Sequence, residues 1–362
     1  MTRELETILA QIGIHTDEAT GALTSPIHFS TTYQHPEFGK STGFDYTRTQ
    51  NPTRESLEIG LALIESGDFA FATSSGMSAI VLAVEEFPVG THFVCVRDLY
   101  GGTFRYFNQL EERGLYTFEY ATTEPELIDL INEKTGVVYI ETPTNPLMFE
   151  FDIAKIAKLA HQFDAQVIVD NTFYTPIYQQ PLKLGADIVV HSATKYLSGH
   201  NDVLAGAVIV KDELLAEKLR VSLNTKGAVL SPFDSYFLMR GLKTLSLRMK
   251  TATKNAQEIV AFLTQHKAVK EVLYTGIGGM VSFKVAQEEK IPQILNSLRV
   301  FTFAESLGGV ESLITYPTTQ THLDIPKEVR ESYGLTPDLL RLSVGIEASS
   351  DLINDLDFAL NI

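Results

Sequence analysis

Short, continuous apolar runs recur between about residues 60 and 210, and they constrain the fold more than any other feature of the sequence. The runs are FVCV at 93–96, VVYI at 137–140, QVIV at 166–169, DIVV at 187–190 and AGAVIV at 205–210. Apolar runs without regular polar alternation are typical of strands covered on both faces, as in a parallel sheet. Residues 153–163, between two of the runs, have apolar side chains three and four apart, which predicts a helix. The sequence therefore predicts an α/β fold with a mostly parallel central sheet.

The regular alternation ends near residue 230. Residues 237–266 predict a long helix, either straight or bent, and mixed strands and helices follow it. Residues 1–45 contain one helical stretch and then little periodic structure, and a long irregular arm is typically functional or packed against a partner. At about 150 residues per domain, we expect an arm at 1–45, a large domain at 46–235 and a smaller α+β domain at 236–362.

The charge balance excludes some classes of partner. Lysine and arginine total 29 against 45 aspartates and glutamates, a net charge of −16. Nucleic acids and anionic membranes need a basic surface, so neither is an expected partner. The N-terminal residues lack the apolar stretch of a signal peptide, no window approaches ~18 consecutive apolar residues, and the single Cys95 cannot form an internal disulfide. We expect a cytoplasmic protein that holds small anions only in a local pocket.

A polar cluster follows each of four predicted strands. The clusters are RDLYGG at 97–102, ETPTNP at 141–146, DNTFYTP at 170–176 and HSATKYLSGH at 191–200. Polar residues also end strands in ordinary loops, so one such cluster would carry little weight. In open α/β sheets, however, ligands bind beyond the carboxyl ends of the strands. Clusters after consecutive units therefore predict one shared crevice.

Two segments predict a site for a single phosphate. SSGMSAI at 74–80 opens a predicted helix, and its small residues let backbone N–H groups approach an oxyanion. Serine and glycine also begin helices as plain caps, so this segment is weak alone. Ser192 and Thr194 add two hydroxyls immediately before Lys195. The glycine patterns of dinucleotide and ATP sites are absent, so a neutral, hydrogen-bonding phosphate site is the better interpretation.

Asp170 and Lys195 indicate which kind of phosphate-containing ligand the site binds. A lysine among apolar and hydroxyl side chains can lose its charge by desolvation and become a nucleophilic amine. An aspartate one strand earlier can hold a ring nitrogen in its protonated form. With the phosphate site, these are the protein groups of a pyridoxal phosphate (PLP) site. An ordinary ion pair would use the same two residues, and the surrounding clusters favour the PLP interpretation.

The residues now resemble a known family, the Cys/Met-metabolism PLP-dependent enzymes. The segments that carry the resemblance are YTRTQNPTR (46–54), SSGMSAI (74–80), DLYGGT (98–103), ETPTNP (141–146), VDNTFYTP (169–176), HSATKYLSGH (191–200), LMRGLKTLSLRM (238–249), AESLGGVESL (304–313) and LRLSVGIE (340–347). The resemblance covers nearly the whole chain. It implies the aspartate-aminotransferase-like (type I) PLP fold, with PLP as a Schiff base on Lys195, and a homotetramer built from two catalytic dimers.

The resemblance also implies site residues. Implied cofactor contacts are Tyr46, Arg48, Ser75, Gly76, Met77, Tyr100, Asp170, Thr172, Ser192, Thr194 and Lys195. Among them, Lys195 moves protons, Asp170 pairs with the ring nitrogen, and Tyr100 stacks on the ring and assists proton transfer. Tyr46 and Arg48 are implied to reach the cofactor phosphate of the neighbouring subunit. Implied substrate contacts are Asp45, Tyr46, Asn145, Glu305, Ser306 and Arg341. Of these, Arg341 and Ser306 would hold the substrate α-carboxylate.

The residues that vary within this family favour one reaction. Glu305 resembles the acid that could bind the amino group of cysteine or of the distal half of cystathionine. Gly102 stands where methionine γ-lyases carry cysteine, which argues against that activity. We expect γ-replacement, in which an O-acetyl- or O-succinyl-L-homoserine and L-cysteine give L-cystathionine for methionine biosynthesis, with O-acetylhomoserine thiolyase activity as an accompaniment. Cleavage of cystathionine by a γ- or β-lyase and an inactive PLP-fold scaffold remain the alternatives.

Three histidines, His191, His200 and His322, suggest a metal site at first sight. No HxxxH or CxxC spacing accompanies them, and no carboxylates cluster with them in the sequence. We therefore expect structural roles for these histidines and no metal.

One departure from many relatives is Gln320, which stands where they carry methionine before Thr321 and His322. We expect a difference at the substrate entrance there.

Overall fold

A seven-stranded sheet lies at the centre of the structure, a computed structural model that describes residues 3–14 and 17–362. Its strands are β1 (Phe69–Thr73), β2 (His92–Val96), β3 (Thr117–Ala121), β4 (Thr135–Glu141), β5 (Gln166–Asp170), β6 (Ile188–His191) and β7 (Gly206–Val210). Across the sheet they lie in the order β1-β7-β6-β5-β4-β2-β3. All the apolar runs predicted as strands are thus confirmed, as β2, β4, β5, β6 and β7.

The sheet is mostly parallel, as predicted, but not at one edge. Strands β2 to β6 pair in parallel, whereas β7 is antiparallel to both β6 and β1. A parallel pair needs a crossover connection that returns the chain to the other end of the sheet. Between β6 and β7 the chain makes turns and contains no helix, so it reverses direction there. Sequence reasoning did not find β3, because its residues alternate between exposed and buried.

Helices cover the sheet and contain more residues than the strands do. They are α1 (Leu5–Gln11), α2 (Pro52–Glu65), α3 (Gly76–Val84), α4 (Gly101–Glu112), α5 (Glu124–Leu130), α6 (Ile153–Ala160), α7 (Thr175–Tyr178), α8 (Pro181–Leu184), α9 (Glu213–Lys226), α10 (Pro232–Leu242), α11 (Leu245–Gln265), α12 (Ile291–Ser297), α13 (Lys327–Ser332) and α14 (Ser349–Leu360). Short 3-10 turns occupy His161–Phe163, Glu288–Lys290 and Pro317–Thr319. In the part of the chain that the structure describes, no helix is long and apolar enough to cross a membrane.

Both faces of the central strands are buried. On β6, Ile188 and Val190 pack into one apolar cluster, while Val189 packs into a second cluster on the opposite side. Successive strand residues point to opposite faces, so each face of the sheet is covered. This burial explains why the strands have continuous apolar runs.

A second sheet lies in the C-terminal part of the chain. It contains β8 (Val269–Leu273), β9 (Met280–Val285), β10 (Thr302–Phe303), β11 (Leu313–Thr315) and β12 (Leu339–Ser343), in the order β10-β11-β12-β9-β8. Helices α11 and α14 pack against each other, and together with this sheet they bury a separate apolar cluster. The single helix predicted over 237–266 is two helices, α10 and α11, separated at Lys243 and Thr244. The predicted boundary after residue 235 falls inside α10, and the division into domains stays a prediction.

Candidate active site

A cavity of about 180 Å³ lies beyond the carboxyl ends of β2, β4, β5 and β6. Its lining residues are Ser75, Gly76, Met77, Ile80, Tyr100, Glu141, Pro143, Asn145, Asp170, Thr172, Phe173, Ser192, Thr194, Lys195, Leu204, Glu305, Ser306, Leu307, Thr321 and Arg341. All the polar clusters that follow the predicted strands contribute to it. The structure therefore brings them to one crevice, as the sequence predicts, and residues 305–307 and Arg341 close it from the C-terminal part.

The N-terminus of α3 forms one end of the cavity. Ser75 caps this helix, and its hydroxyl accepts a hydrogen bond from the Ser78 N–H at 3.0 Å. A Cβ at Gly76 would lie 2.7 Å from the Ser192 Cβ, so only glycine allows the helix to approach Ser192 this closely. The first N–H groups of a helix lack partners within the helix and attract anions. This end of the cavity fits a phosphate group.

Two threonines beside the phosphate end already have hydrogen-bond partners. The Thr172 hydroxyl accepts from the Ser192 N–H at 2.9 Å, which joins the loops after β5 and β6. The Thr194 hydroxyl donates to the Ala205 carbonyl and accepts from the Ala205 N–H, both at 3.0 Å. To donate to a phosphate, the Thr194 hydroxyl would have to turn its proton away from the Ala205 carbonyl. Its role as a cofactor contact stays a prediction.

Lys195 reaches into the cavity from the loop after β6. Its Nζ donates to the Ser306 hydroxyl at 2.8 Å. Burial lowers the pKa of Lys195 to about 8, with the nearby Arg341 cation acting in the same direction and Glu305 opposing it. At pH 7 about a tenth of this amine is therefore uncharged, far more than for an ordinary lysine. An uncharged amine is the form that attacks a carbonyl carbon.

Asp170, the last residue of β5, lies deeper in the cavity. One carboxylate oxygen accepts from the Thr172 N–H at 3.0 Å and from the Thr172 hydroxyl at 2.5 Å. Burial raises the pKa of Asp170, whereas the Thr172 bonds and the His191 charge act in the opposite direction. An oriented carboxylate at this depth can pair with a protonated ring nitrogen.

Arg341, on β12, is a buried cation that forms no ion pair with a carboxylate of the described residues. It is 1% exposed and donates to the Asn145 side-chain oxygen at 2.7 Å, the Ser306 carbonyl at 3.0 Å and the Thr315 hydroxyl at 3.1 Å. Its Nε has no hydrogen-bond partner among the described residues. Burial lowers the pKa of Arg341 only to about 10, so it stays charged at neutral pH. A cation fixed by neutral oxygens at a cavity wall is well suited to bind a substrate carboxylate.

Glu305 and Ser306 form the wall opposite the strand ends. Ser306 has a φ of 89°, a left-handed conformation that is uncommon for residues other than glycine and is often found at functional sites. Glu305 lines both the cavity and an adjoining open depression, which Asp202 and Leu204 also line. Its carboxylate is therefore available to a molecule that enters the cavity from this side.

Three of the predicted site residues, Asp45, Tyr46 and Arg48, do not line the cavity of their own chain. Arg48 donates to the backbone oxygen and the side-chain oxygen of Asn224, at 2.5 and 3.0 Å. The contacts predicted for Tyr46 and Arg48 are to the neighbouring subunit, and they stay predictions, as does the role of Asp45.

Several lining residues were missed by sequence reasoning. They are Ile80, Glu141, Pro143, Phe173, Leu204, Leu307 and Thr321. Glu141 carried a signal, because it opens the ETPTNP cluster at the end of β4. Its Oε2 accepts a hydrogen bond from the Tyr100 N–H at 3.0 Å.

The histidines each have a partner within the protein. His191 Nε2 lies 2.6 Å from Glu65 Oε1, His200 Nδ1 lies 2.7 Å from the Ser198 carbonyl, and His322 Nε2 lies 3.0 Å from the Asn145 carbonyl. Over residues 3–14 and 17–362, no three or more His, Cys, Asp or Glu side chains group in a way that could hold a metal ion. Next to the lining residue Thr321 in the chain is Gln320. Its side-chain oxygen accepts a hydrogen bond from the Tyr316 N–H at 2.9 Å.

The lining residues fit PLP. The phosphate end, the amine of Lys195 and the carboxylate of Asp170 occur in one cavity. A family model described as "Cys/Met metabolism PLP-dependent enzyme" matches residues 6–361. The chain belongs to this family. The fold, the family and the PLP cofactor predicted from the sequence are thereby confirmed.

Relatives within the family have different activities. The chain is 53% identical over 363 residues to the cystathionine gamma-synthase/O-acetylhomoserine (thiol)-lyase of Bacillus subtilis (strain 168), covering 99% of this chain and 97% of that protein. It is 45% identical over 373 residues to the cystathionine gamma-lyase of the same strain, covering 98% of each. The crystal structure of cystathionine gamma synthase from Xanthomonas oryzae pv. oryzae in complex with aminoacrylate and cysteine superposes with a TM-score of 0.97 at 38% identity, covering 100% of this chain and 98% of that one. This family member is therefore a PLP-dependent trans-sulfuration enzyme that acts on amino-acid substrates.

Proposed function

We propose that this enzyme catalyses γ-replacement on an O-acyl-L-homoserine with L-cysteine as the nucleophile. The Cγ–O bond of the homoserine ester breaks, a bond forms between Cγ and the cysteine sulfur, and the thiol proton leaves with the acyl acid. The products are L-cystathionine and acetic or succinic acid. The observation that carries the proposal is the presence of opposite charges in one cavity, the cation of Arg341 and the carboxylate of Glu305, both of which line it.

The chain's own groups have separate tasks in this reaction. PLP supplies the electron sink that stabilises negative charge developing on the substrate carbons. Lys195 Nζ, with its pKa lowered to about 8, takes and returns protons at Cα and Cβ. Asp170 would pair with the ring nitrogen, and Arg341 would hold the α-carboxylate so that the reacting carbons stay near Lys195. Ser306, bonded to Lys195 Nζ, keeps the amine directed into the cavity.

Glu305 is the group we assign to the nucleophile. Cysteine carries an ammonium group that a sulfide ion lacks, and a carboxylate at the cavity wall attracts it. The adjoining depression beside Glu305 offers a route of entry that does not displace the substrate held at Arg341. The similarity to a cystathionine gamma-synthase/O-acetylhomoserine (thiol)-lyase supports the use of cysteine and of simple sulfide by one site.

Replacing Glu305 with glutamine should weaken the use of cysteine more than the use of sulfide. Losing one charge-assisted contact costs about tenfold in kcat/KM for cysteine, with little change for sulfide. The two rates are measured with the same O-acylhomoserine. Glu258→Gln is the matched control, because Glu258 lies near Lys254 on α11 and lines neither the cavity nor the adjoining depression. An equal loss for both nucleophiles would remove Glu305 from the recognition of cysteine.

Cleavage of cystathionine is the alternative reaction. It would use the same groups, since cystathionine carries an α-carboxylate for Arg341 and a distal ammonium for Glu305. The 45% identity to a cystathionine gamma-lyase supports this alternative. An inactive scaffold is disfavoured, because Lys195, Asp170 and Arg341 converge on one cavity.

We also propose that the active site is completed by a second subunit, within a homotetramer of two catalytic dimers. The cavity is lined by the carboxylates Glu141, Asp170 and Glu305, and its cations are only Lys195 and Arg341 among the described residues. A cofactor phosphate therefore lacks a nearby cation from its own chain. Arg48 is the cation we assign to it, supplied by the neighbouring subunit together with Tyr46. The cytoplasmic location stays a prediction.

Mixing two inactive variants tests the shared site. In a mixed dimer of Lys195→Ala and Arg48→Ala chains, the cavity of the Arg48→Ala chain still contains Lys195. It would receive an intact Arg48 from the Lys195→Ala chain. Unfolding and refolding the two variants together should therefore restore activity. Lys195→Ala mixed with Asp170→Asn is the control that should stay inactive, because both residues line the same chain's cavity. Failure of the first mixture, with mixed dimers demonstrated by mass spectrometry, would contradict the proposal.

A further inference from the structure

Glu141 and Asp170 end adjacent parallel strands at the same level. The backbone pairing of β4 with β5 places Glu141 directly opposite Asp170, and paired strands lie about 4.8 Å apart. Residues paired in register point to the same face, and both side chains line the cavity. Glu141 is 6% exposed and Asp170 is 8% exposed, so water screens neither carboxyl group effectively.

The two acids have unequal hydrogen bonds. Asp170 accepts two hydrogen bonds, both from Thr172, which favour its ionised form. Glu141 accepts one, from the Tyr100 N–H, through Oε2. Two carboxylates at this spacing in a buried site repel each other, so one of them holds a proton.

The charged and titratable groups around Glu141 also favour its neutral form. Asp170 from β5 and Asp98 from the loop after β2 oppose a charge on Glu141, and Arg341 from β12 is the cation that favours it. Burial raises the pKa of Tyr139, on β4 itself, and the charges of Asp170 and Glu141 act in the same direction. Burial, reinforced by Asp170, raises the pKa of Glu141 well above its usual range.

We propose that Glu141 is a positioning residue. It stays protonated beside an ionised Asp170, and its Oε2 holds Tyr100 in place by accepting the hydrogen bond from the Tyr100 N–H. Its neutral form would leave Asp170 as the carboxylate of this pair that is available to the cofactor ring nitrogen. Its bond to the Tyr100 N–H holds the start of α4, and so the Tyr100 ring, at the cavity wall. The proposed arrangement of Glu141 and Asp170 is the same for a synthase and for a lyase.

Infrared spectroscopy of the holoenzyme tests where the proton lies. At about pH 9, well above the pKa of about 7 to which burial raises Glu58 and Asp98, a protonated-carboxyl C=O band should remain. It should shift when the protein is labelled with ¹³C-glutamate and should disappear in Glu141→Gln. A shift with ¹³C-aspartate instead would place the proton on Asp170 and overturn the proposal. Absence of the band would mean that both acids are ionised, which would also overturn it.

A pair of variants tests the positioning role. Glu141→Gln keeps an oxygen for the Tyr100 N–H, whereas Glu141→Ala leaves that N–H without its partner. We expect Glu141→Ala to bind PLP about tenfold more weakly than Glu141→Gln, measured by cofactor titration of the apoenzyme. Equal PLP affinities for the two variants would remove the role of the Tyr100 bond. The labelling experiment on the unmodified sequence decides the protonation state even where a variant fails to fold.

Discussion

Replacing Lys195 with alanine will lower kcat/KM by at least about a thousandfold, because proton transfer and covalent cofactor attachment are lost together. The loss follows from geometry as well as from chemistry. Lys195 Nζ lies 2.8 Å from Ser306, and Arg341 is the one other cation among the described lining residues. Arg341 keeps its charge at neutral pH, so it cannot replace Lys195 as a base.

Two measurements separate this effect from unfolding. The purified Lys195→Ala protein should lack the visible absorbance of a cofactor attached to lysine while keeping the far-ultraviolet circular dichroism of the parent. Lys211→Ala is the matched control, because Lys211 donates to the Leu182 carbonyl and does not line the cavity. Its activity and absorbance should match those of the parent. A Lys195→Ala protein that keeps the absorbance band would show that PLP is attached elsewhere.

Replacing Arg341 with alanine will lower kcat/KM for the amino-acid substrate by about 10² to 10³, most of it as a higher KM. Arg341 is 1% exposed and its three acceptors are neutral oxygens. A substrate carboxylate would therefore be its main anionic partner. Without the guanidinium, that carboxylate would be buried without a counter-charge.

The Arg341 variant has its own controls. Arg341→Lys keeps the charge but cannot replace the forked contacts to Asn145 and Ser306, so we expect an intermediate KM. Arg299→Ala removes an arginine that lies over the Phe358 ring, outside the cavity, and should leave KM unchanged. Steady-state kinetics with the ester substrate measure KM for both variants. An unchanged KM in Arg341→Ala would assign the carboxylate to another residue.

The sequence predicted the central sheet well because its strands are buried on both faces. Burial of Ile188 and Val189 on opposite sides requires apolar residues at consecutive positions, and this pattern is visible without a structure. The direction of β7 was not visible, because antiparallel and parallel central strands have the same composition. The short, half-exposed β3 has no comparable run.

The cavity was predictable where its residues follow strands. Asp170 is the last residue of β5 and Lys195 lies in the loop after β6. Because ligands of open α/β sheets bind at the carboxyl ends of the strands, these positions place the two residues in one site. Contacts between distant residues were not predictable in this way. Arg341 donates to Asn145, 196 positions away, and only the packing of β12 against the loop after β4 creates that contact. The register that pairs Glu141 with Asp170 likewise depends on the three-dimensional arrangement of the strands.

The measurement that tests the account most directly is a paired assay on the purified holoenzyme. One reaction contains O-acetyl- or O-succinyl-L-homoserine with L-cysteine, and the other contains L-cystathionine alone, with the products of both identified by mass spectrometry. We predict that cystathionine forms faster in the first reaction than it is cleaved in the second. Cleavage of cystathionine with no synthesis in the first reaction would contradict the proposed function.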